Sequence, residues 1–128
     1  MLDIRQQKGV AMLLLVVVLT ASFLIVASSI LFLGLGELDM GYTYQCGEEA
    51  FALADGCMEE VLIRLKMDNN YSGGNLDLGS GNCIINISGD ATYKIISAVS
   101  VVKNCSQGIE ANISLAGDIL TINTWREK

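Results

Sequence analysis

From Val10 to Gly36 the chain runs 27 residues without a charge, interrupted mildly by Thr20, Ser22, Ser28, Ser29 and Gly34. As a helix at about 1.5 Å per residue this block reaches roughly 40 Å, more than the ~30 Å hydrocarbon core of a bilayer. The following stretch, Glu37–Met67, changes character. Ala50, Ala54, Cys57, Val61 and Leu65 recur every three or four residues, and Leu53, Met58 and Leu62 widen the stripe. That is the signature of a helix lying on a core. Glu59, Glu60, Arg64 and Lys66 take the other side, with Glu60 four residues ahead of Arg64 in the favourable order. No proline separates the two stretches. Gly34, Gly36 and Gly41 weaken the join by up to ~1 kcal/mol each, yet the pattern predicts one helix, about 87 Å long if unbroken from Val10 to Met67.

The cluster Asn69-Asn70-Tyr71-Ser72-Gly73-Gly74 should end this helix, and Gly79-Ser80-Gly81-Asn82 is a second breaker. Beyond them the period becomes two. Cys83–Ser88, Tyr93–Val102, Ile109–Leu115 and Ile119–Thr124 are rich in Ile, Val and Thr, and short polar links divide them. In Ile109–Leu115, apolar residues alternate with Glu110, Asn112 and Ser114, which predicts one buried and one wet face. Short links imply hairpins. The expected fold is therefore α+β: a long N-terminal α-helix, half transmembrane and half amphipathic, packed on a C-terminal antiparallel β-meander of about four strands. The expected organisation is a leader over 1–9, a membrane helix over 10–36 and an extracytoplasmic domain over 37–128, with its helix at 37–67 and sheet at 82–125.

Charge gives the block a direction. Arg5 and Lys8 precede it; seven acidic residues from Glu37 to Glu60 follow it before the first cation, Arg64. The positive-inside rule places the N-terminus in the cytoplasm and the rest outside, as a single pass through the inner membrane. A cleaved secretory signal fits less well, since its apolar region runs about 7–15 residues to a small-residue cleavage site. The chain is 52% hydrophobic, with mean hydropathy +0.47. A net charge of −6 argues against a nucleic-acid partner, and with no His the commonest general base and neutral metal ligand is missing.

Cys46, Cys57, Cys83 and Cys105 all lie beyond the membrane block, where disulfides persist. No C-x-x-C pair suggests metal or redox work. Eleven residues apart on one helix, Cys46 and Cys57 would stand about 16 Å from each other, whereas a disulfide needs Cα atoms within about 7 Å. Each should reach into the sheet instead. Cys57–Cys83 with Cys46–Cys105 closes the shorter loop near the helix end; a Cys83–Cys105 bridge with two free helix thiols is the alternative.

Gln6-Gln7-Lys8-Gly9, followed directly by Val10-Ala11-Met12-Leu13-Leu14, resembles the class III signal sequence of type IV pilins and type II secretion pseudopilins. The resemblance covers nearly the whole architecture: basic leader ending in Gly, apolar segment, long helix, C-terminal sheet. It implies cleavage after Gly9 by a prepilin peptidase and N-methylation of Val10. The partners it implies are the lipid bilayer, an inner-membrane assembly platform and other pilin-like subunits. Major pilins carry Glu at the fifth mature position, where this chain has Leu14, and usually a Pro in the apolar segment, which is absent here. The closer analogy is thus a minor or tip-type subunit. The alternative is an uncleaved single-pass anchor bearing an extracytoplasmic binding domain.

Other motifs have plainer readings. Four Asn-x-Ser triplets, beginning at Asn70, Asn86, Asn104 and Asn112, fit the glycosylation sequon, yet turns and wet strand faces account for them. Glu48, Glu49, Glu59 and Glu60 read as a solvated helix face, and Asp77 and Asp90 lack calcium-loop spacing. Trp125 and Arg126-Glu127-Lys128 close the last strand or form a contact surface. No catalytic constellation and no cofactor motif is visible, so the expectation is a non-enzymatic protein.

Overall fold

The structure, a computed structural model, describes residues 4–128. The first three residues of the expected leader, Asp3 among them, lie outside the described residues. A single helix, α1, runs from Ile4 to Met67. Five strands follow: β1 (Gly73–Leu78), β2 (Gly81–Gly89), β3 (Tyr93–Val102), β4 (Cys105–Ala116) and β5 (Ile119–Glu127). They form one antiparallel sheet in the order β1-β2-β3-β4-β5. The chain divides into two compact units, one ending at Gly41 and one running from Tyr42 to Lys128.

The core belongs to the second unit. From α1 it takes Ala54, Cys57, Met58, Val61 and Leu65, the stripe expected from the spacing. From the sheet it takes Cys83 and Ile85 on β2, Ile96 and Ala98 on β3, and Ile109, Ala111 and Ile113 on β4. The helix thus covers the central strands. β3 alternates strictly, with Lys94, Ile96, Ala98, Ser100 and Val102 buried and the residues between them more exposed. Two of those buried residues are polar, and both reach main-chain carbonyls: Ser100 Oγ donates to Ala50 O within α1, and Lys94 Nζ donates to Asn69 O just beyond it. A buried polar group that lacks a partner is costly, so each bond selects one placement of the helix on the sheet.

Five strands replace the expected four because Gly73–Leu78 pairs with β2, Gly73 opposite Asn86 and Leu78 opposite Gly81. The helix does end at Met67, ahead of the breaker cluster, but the last two residues of that cluster, Gly73 and Gly74, begin a strand. Gly73 has φ +87°, and a Cβ there would stand 2.5 Å from the carbonyl oxygen of Ile85. Its glycine marks close approach of two backbones, one of the uses of glycine within sheets. Leu76 and Leu78 then pack against the core. β4 also begins earlier than the apolar alternation suggests, at Cys105, since Ser106, Gln107 and Gly108 pair with Val101, Ser100 and Val99 despite their polarity.

Gly73→Ala should therefore destabilise the domain by about 2 kcal/mol or more, from the left-handed backbone and the encroached carbonyl together. Denaturant unfolding of the full chain in detergent measures it, with Gly74→Ala as the comparison that meets no neighbouring atom.

Candidate functional site

Two features carry the candidate chemistry: the apolar part of α1 with the Gly9–Val10 step at its start, and the covalent clamp on the sheet domain. Among the described residues, one helix near the N-terminus is long and apolar enough to cross a membrane, and none of its most apolar stretch is buried. Its side-chain hydroxyls are satisfied within the helix. Thr20 Oγ1 donates to Val17 O at 2.9 Å, Ser22 Oγ to Val18 O at 2.8 Å, and Ser28 and Ser29 both to Ile25 O at 2.8 and 2.9 Å. Such bonds make hydroxyls tolerable in hydrocarbon, where no water can serve them.

Gly9, Val10 and Leu14 all lie within α1. Val10 and Leu14 are 61% and 59% exposed, and a Cβ at Gly9 would meet nothing. Gln6, Gln7, Val10, Ala11 and Leu14 line one shallow apolar depression of about 280 Å³. The structure thus puts the Gly9–Val10 junction and Leu14 on an open helical surface, side by side.

The four cysteines form two disulfides, Cys46–Cys105 and Cys57–Cys83, with Cα separations of 5.9 and 6.5 Å. Sheet register gives the reason. Cys83 lies on β2 opposite Ser100, and Cys105 lies on β4 opposite Val102, so β3 stands between them. Two strand spacings of about 4.8 Å exceed what a disulfide spans. Cys46 and Cys57 on the helix and Cys83 on the sheet are all buried.

The acidic residues are dispersed. Glu60 pairs with Arg64 at 2.9 Å, and Glu49 with Lys103 at 3.9 Å, both on exposed surface. Glu48 and Glu127 line an open cleft of about 380 Å³ with Tyr44 and Phe51, and Glu59 is exposed. Asp77 sits on edge strand β1 and Asp90 just after β2; Trp125 pairs with Ala111 across β4–β5. Among the described residues no group of three His, Cys, Asp or Glu is placed to hold a metal ion. Asn70 is exposed after α1, Asn86 and Asn104 are exposed on β2 and in the β3–β4 turn, and Asn112 is half-buried on β4.

β5 is an edge strand and is exposed along nearly its whole length. It is fastened by Glu110, which accepts a hydrogen bond from Arg126 directly opposite and lies 3.7 Å from Lys128 Nζ. The Arg126 hydrogen bond is the main reason that the Glu110 carboxyl titrates below the usual carboxylate range; partial burial opposes this, and the charges of Arg126 and Lys128 reinforce it.

The residue that sequence reading passed over is Lys94. Its signal was present: it shares strand parity with Ile96, Ala98, Ser100 and Val102, a lysine in the buried phase of an alternating strand.

Comparison with protein-family models, with curated proteins and with solved structures finds no match.

Two outcomes follow from these contacts. Loops of 59 and 26 residues are closed by the disulfides, so the chain-entropy relation gives a loss of about 4 kcal/mol for Cys46→Ser with Cys105→Ser and about 3.5 kcal/mol for Cys57→Ser with Cys83→Ser. Urea unfolding of each double variant checks this. Because Glu110 binds its proton less readily when folded, its contribution is present above the ordinary carboxylate pKa and disappears as pH falls through its lowered value. Amide exchange along β5 should accelerate in that acid range, and Glu110→Gln should remove that part of the pH dependence.

Proposed function

We propose that the chain is a pilin-like structural subunit, a minor or tip-type member of a type IV pilus or type II secretion filament, assembled through its N-terminal helix. One observation carries this reading: a single unbroken helix, Ile4–Met67, is charge-free and uncovered from Val10 to Gly36, and in its last part is the cover of a disulfide-clamped sheet. A helix of that kind is held in lipid before assembly and against other helices afterwards, where close packing replaces the hydrophobic effect. Ala21, Ser22, Ala27, Ser28 and Ser29 supply the small surfaces such packing uses.

On this reading Lys8-Gly9 ends a leader that a prepilin peptidase removes, and Val10 becomes the methylated first residue. Lys8 and Arg5 hold the N-terminus on the cytoplasmic side, and the sheet domain lies outside. In the pilin family the glutamate at the fifth mature position pairs with the amine of a neighbouring subunit's first residue. Leu14 occupies that position here and cannot form the pair. This favours a subunit placed where no predecessor needs neutralising. The same substitution favours the second reading, an uncleaved anchor carrying a binding domain.

The mature N-terminus separates the two. Intact-mass analysis of protein made beside a prepilin peptidase should show loss of residues 1–9 and one methyl group on Val10, and Gly9→Ala should abolish both. Retention of residue 1 in the wild type establishes the anchor instead, and processing indifferent to Gly9 and to the peptidase overturns the filament reading.

A further inference from the structure

We propose that the cleft around Lys94, at the C-terminal end of α1, binds a sugar acid, with the Lys94 ammonium pairing with the sugar's carboxylate. The cleft lies wholly in the unit from Tyr42 to Lys128, so the proposal holds for a filament subunit and an anchored domain alike.

Lys94 is the anomaly that points there. It is only 8% exposed. Every other basic residue from Tyr42 onward either pairs with a carboxylate, as Arg64, Lys103, Arg126 and Lys128 do, or is exposed, as Lys66 is. Lys94 has no ion pair among the described residues, and its one hydrogen bond goes to the Asn69 carbonyl. An ammonium has three donors. The carbonyl and the negative end of the helix dipole compensate part of the charge, but an uncharged donor would cap that carbonyl without the cost of a buried cation.

The surroundings say what the remaining donors serve. Lys94 lines a cleft of about 310 Å³ together with Asn69, Asn70, Tyr71, Ser72, Ser88 and Asp90. That volume sits at the small end of ligand pockets, suited to a monosaccharide-sized group. Asn amides and Ser hydroxyls both donate and accept, as sugar hydroxyls do. The Asp90 carboxylate has no ion pair among the described residues and is an acceptor for two hydroxyl donors. Ile87 and Ala91 offer apolar surface to ring carbons. A simple anion fits this lining poorly, because Asp90 repels a multiply charged phosphate. One negative charge accompanied by several hydroxyls matches a lining of one cation, one carboxylate and the Asn and Ser side chains.

The test uses the full chain in detergent micelles, titrated with glucuronic acid, glucose and inorganic phosphate while amide NMR shifts are followed. Glucuronate should bind with a Kd of about 1 mM, and glucose at least tenfold more weakly, roughly 1.4 kcal/mol. Shifts should be confined to Asn69–Ser72 and Ser88–Lys94. Lys94→Gln keeps a donor for the Asn69 carbonyl and should erase the preference for the acid. Ser88→Ala and Asp90→Asn touch no buried bond and should weaken glucuronate severalfold with circular dichroism unchanged; they decide the matter if Lys94→Gln does not fold. No shift with glucuronate up to about 20 mM, equal binding of glucose, or phosphate binding that Asp90→Asn strengthens would each overturn the assignment.

Discussion

The whole domain depends on one burial. An antiparallel sheet with a single apolar face must cover it, and here one stretch of helix, Ala50 to Leu65, is the entire cover for the central strands. A domain this small buries a modest share of its surface and gains little margin from its core alone. The two disulfides join that helix to β2 and β4 on either side of β3, while Ser100 and Lys94 hold it from β3 itself. Helix and sheet are thus tied at both ends and in the middle. Neither has a buried face without the other.

That dependence orders how the domain can form. Cys46 must wait for Cys105, which lies 59 residues later, and β5 follows β4 in the sheet. The helix closes its own hydrogen bonds within four residues, whereas its covalent tie to β4 needs a partner 59 residues away. A segment that is apolar along its first part can therefore enter lipid while the later strands are still unpaired. The cost of closing long loops is met only when the sheet is assembled.

How much of this was legible depended on whether a residue's neighbours were near in sequence. Ala50, Ala54, Cys57, Val61 and Leu65 announce a helix face by spacing alone, and β3 and the later part of β4 announce a sheet face by alternation. β1 was hidden because Gly73 and Gly74 look like chain breakers; only the carbonyl of Ile85, twelve residues on, explains why glycine is needed. The polar start of β4 was hidden for the same reason, since its pairing with β3 lies in register, not composition. The disulfide map turned on β3 standing between Cys83 and Cys105, a fact of sheet order. Lys94 was readable and was read past, because parity was applied to apolar residues alone. Val10 and Leu14 are exposed and a Cβ at Gly9 would meet nothing, so the expected leader junction rests on a sequence signature and has no packing signature.

The hydroxyls of Thr20, Ser22, Ser28 and Ser29 are each bonded to a carbonyl one turn back. Bonded in this way, each hydroxyl spends its one donor within the helix and has no proton left to offer a neighbour. Toward an apolar neighbour such a surface offers contour in place of donated hydrogen bonds. A cylinder with such a surface can rotate and slide past a neighbour through many nearly equivalent alignments.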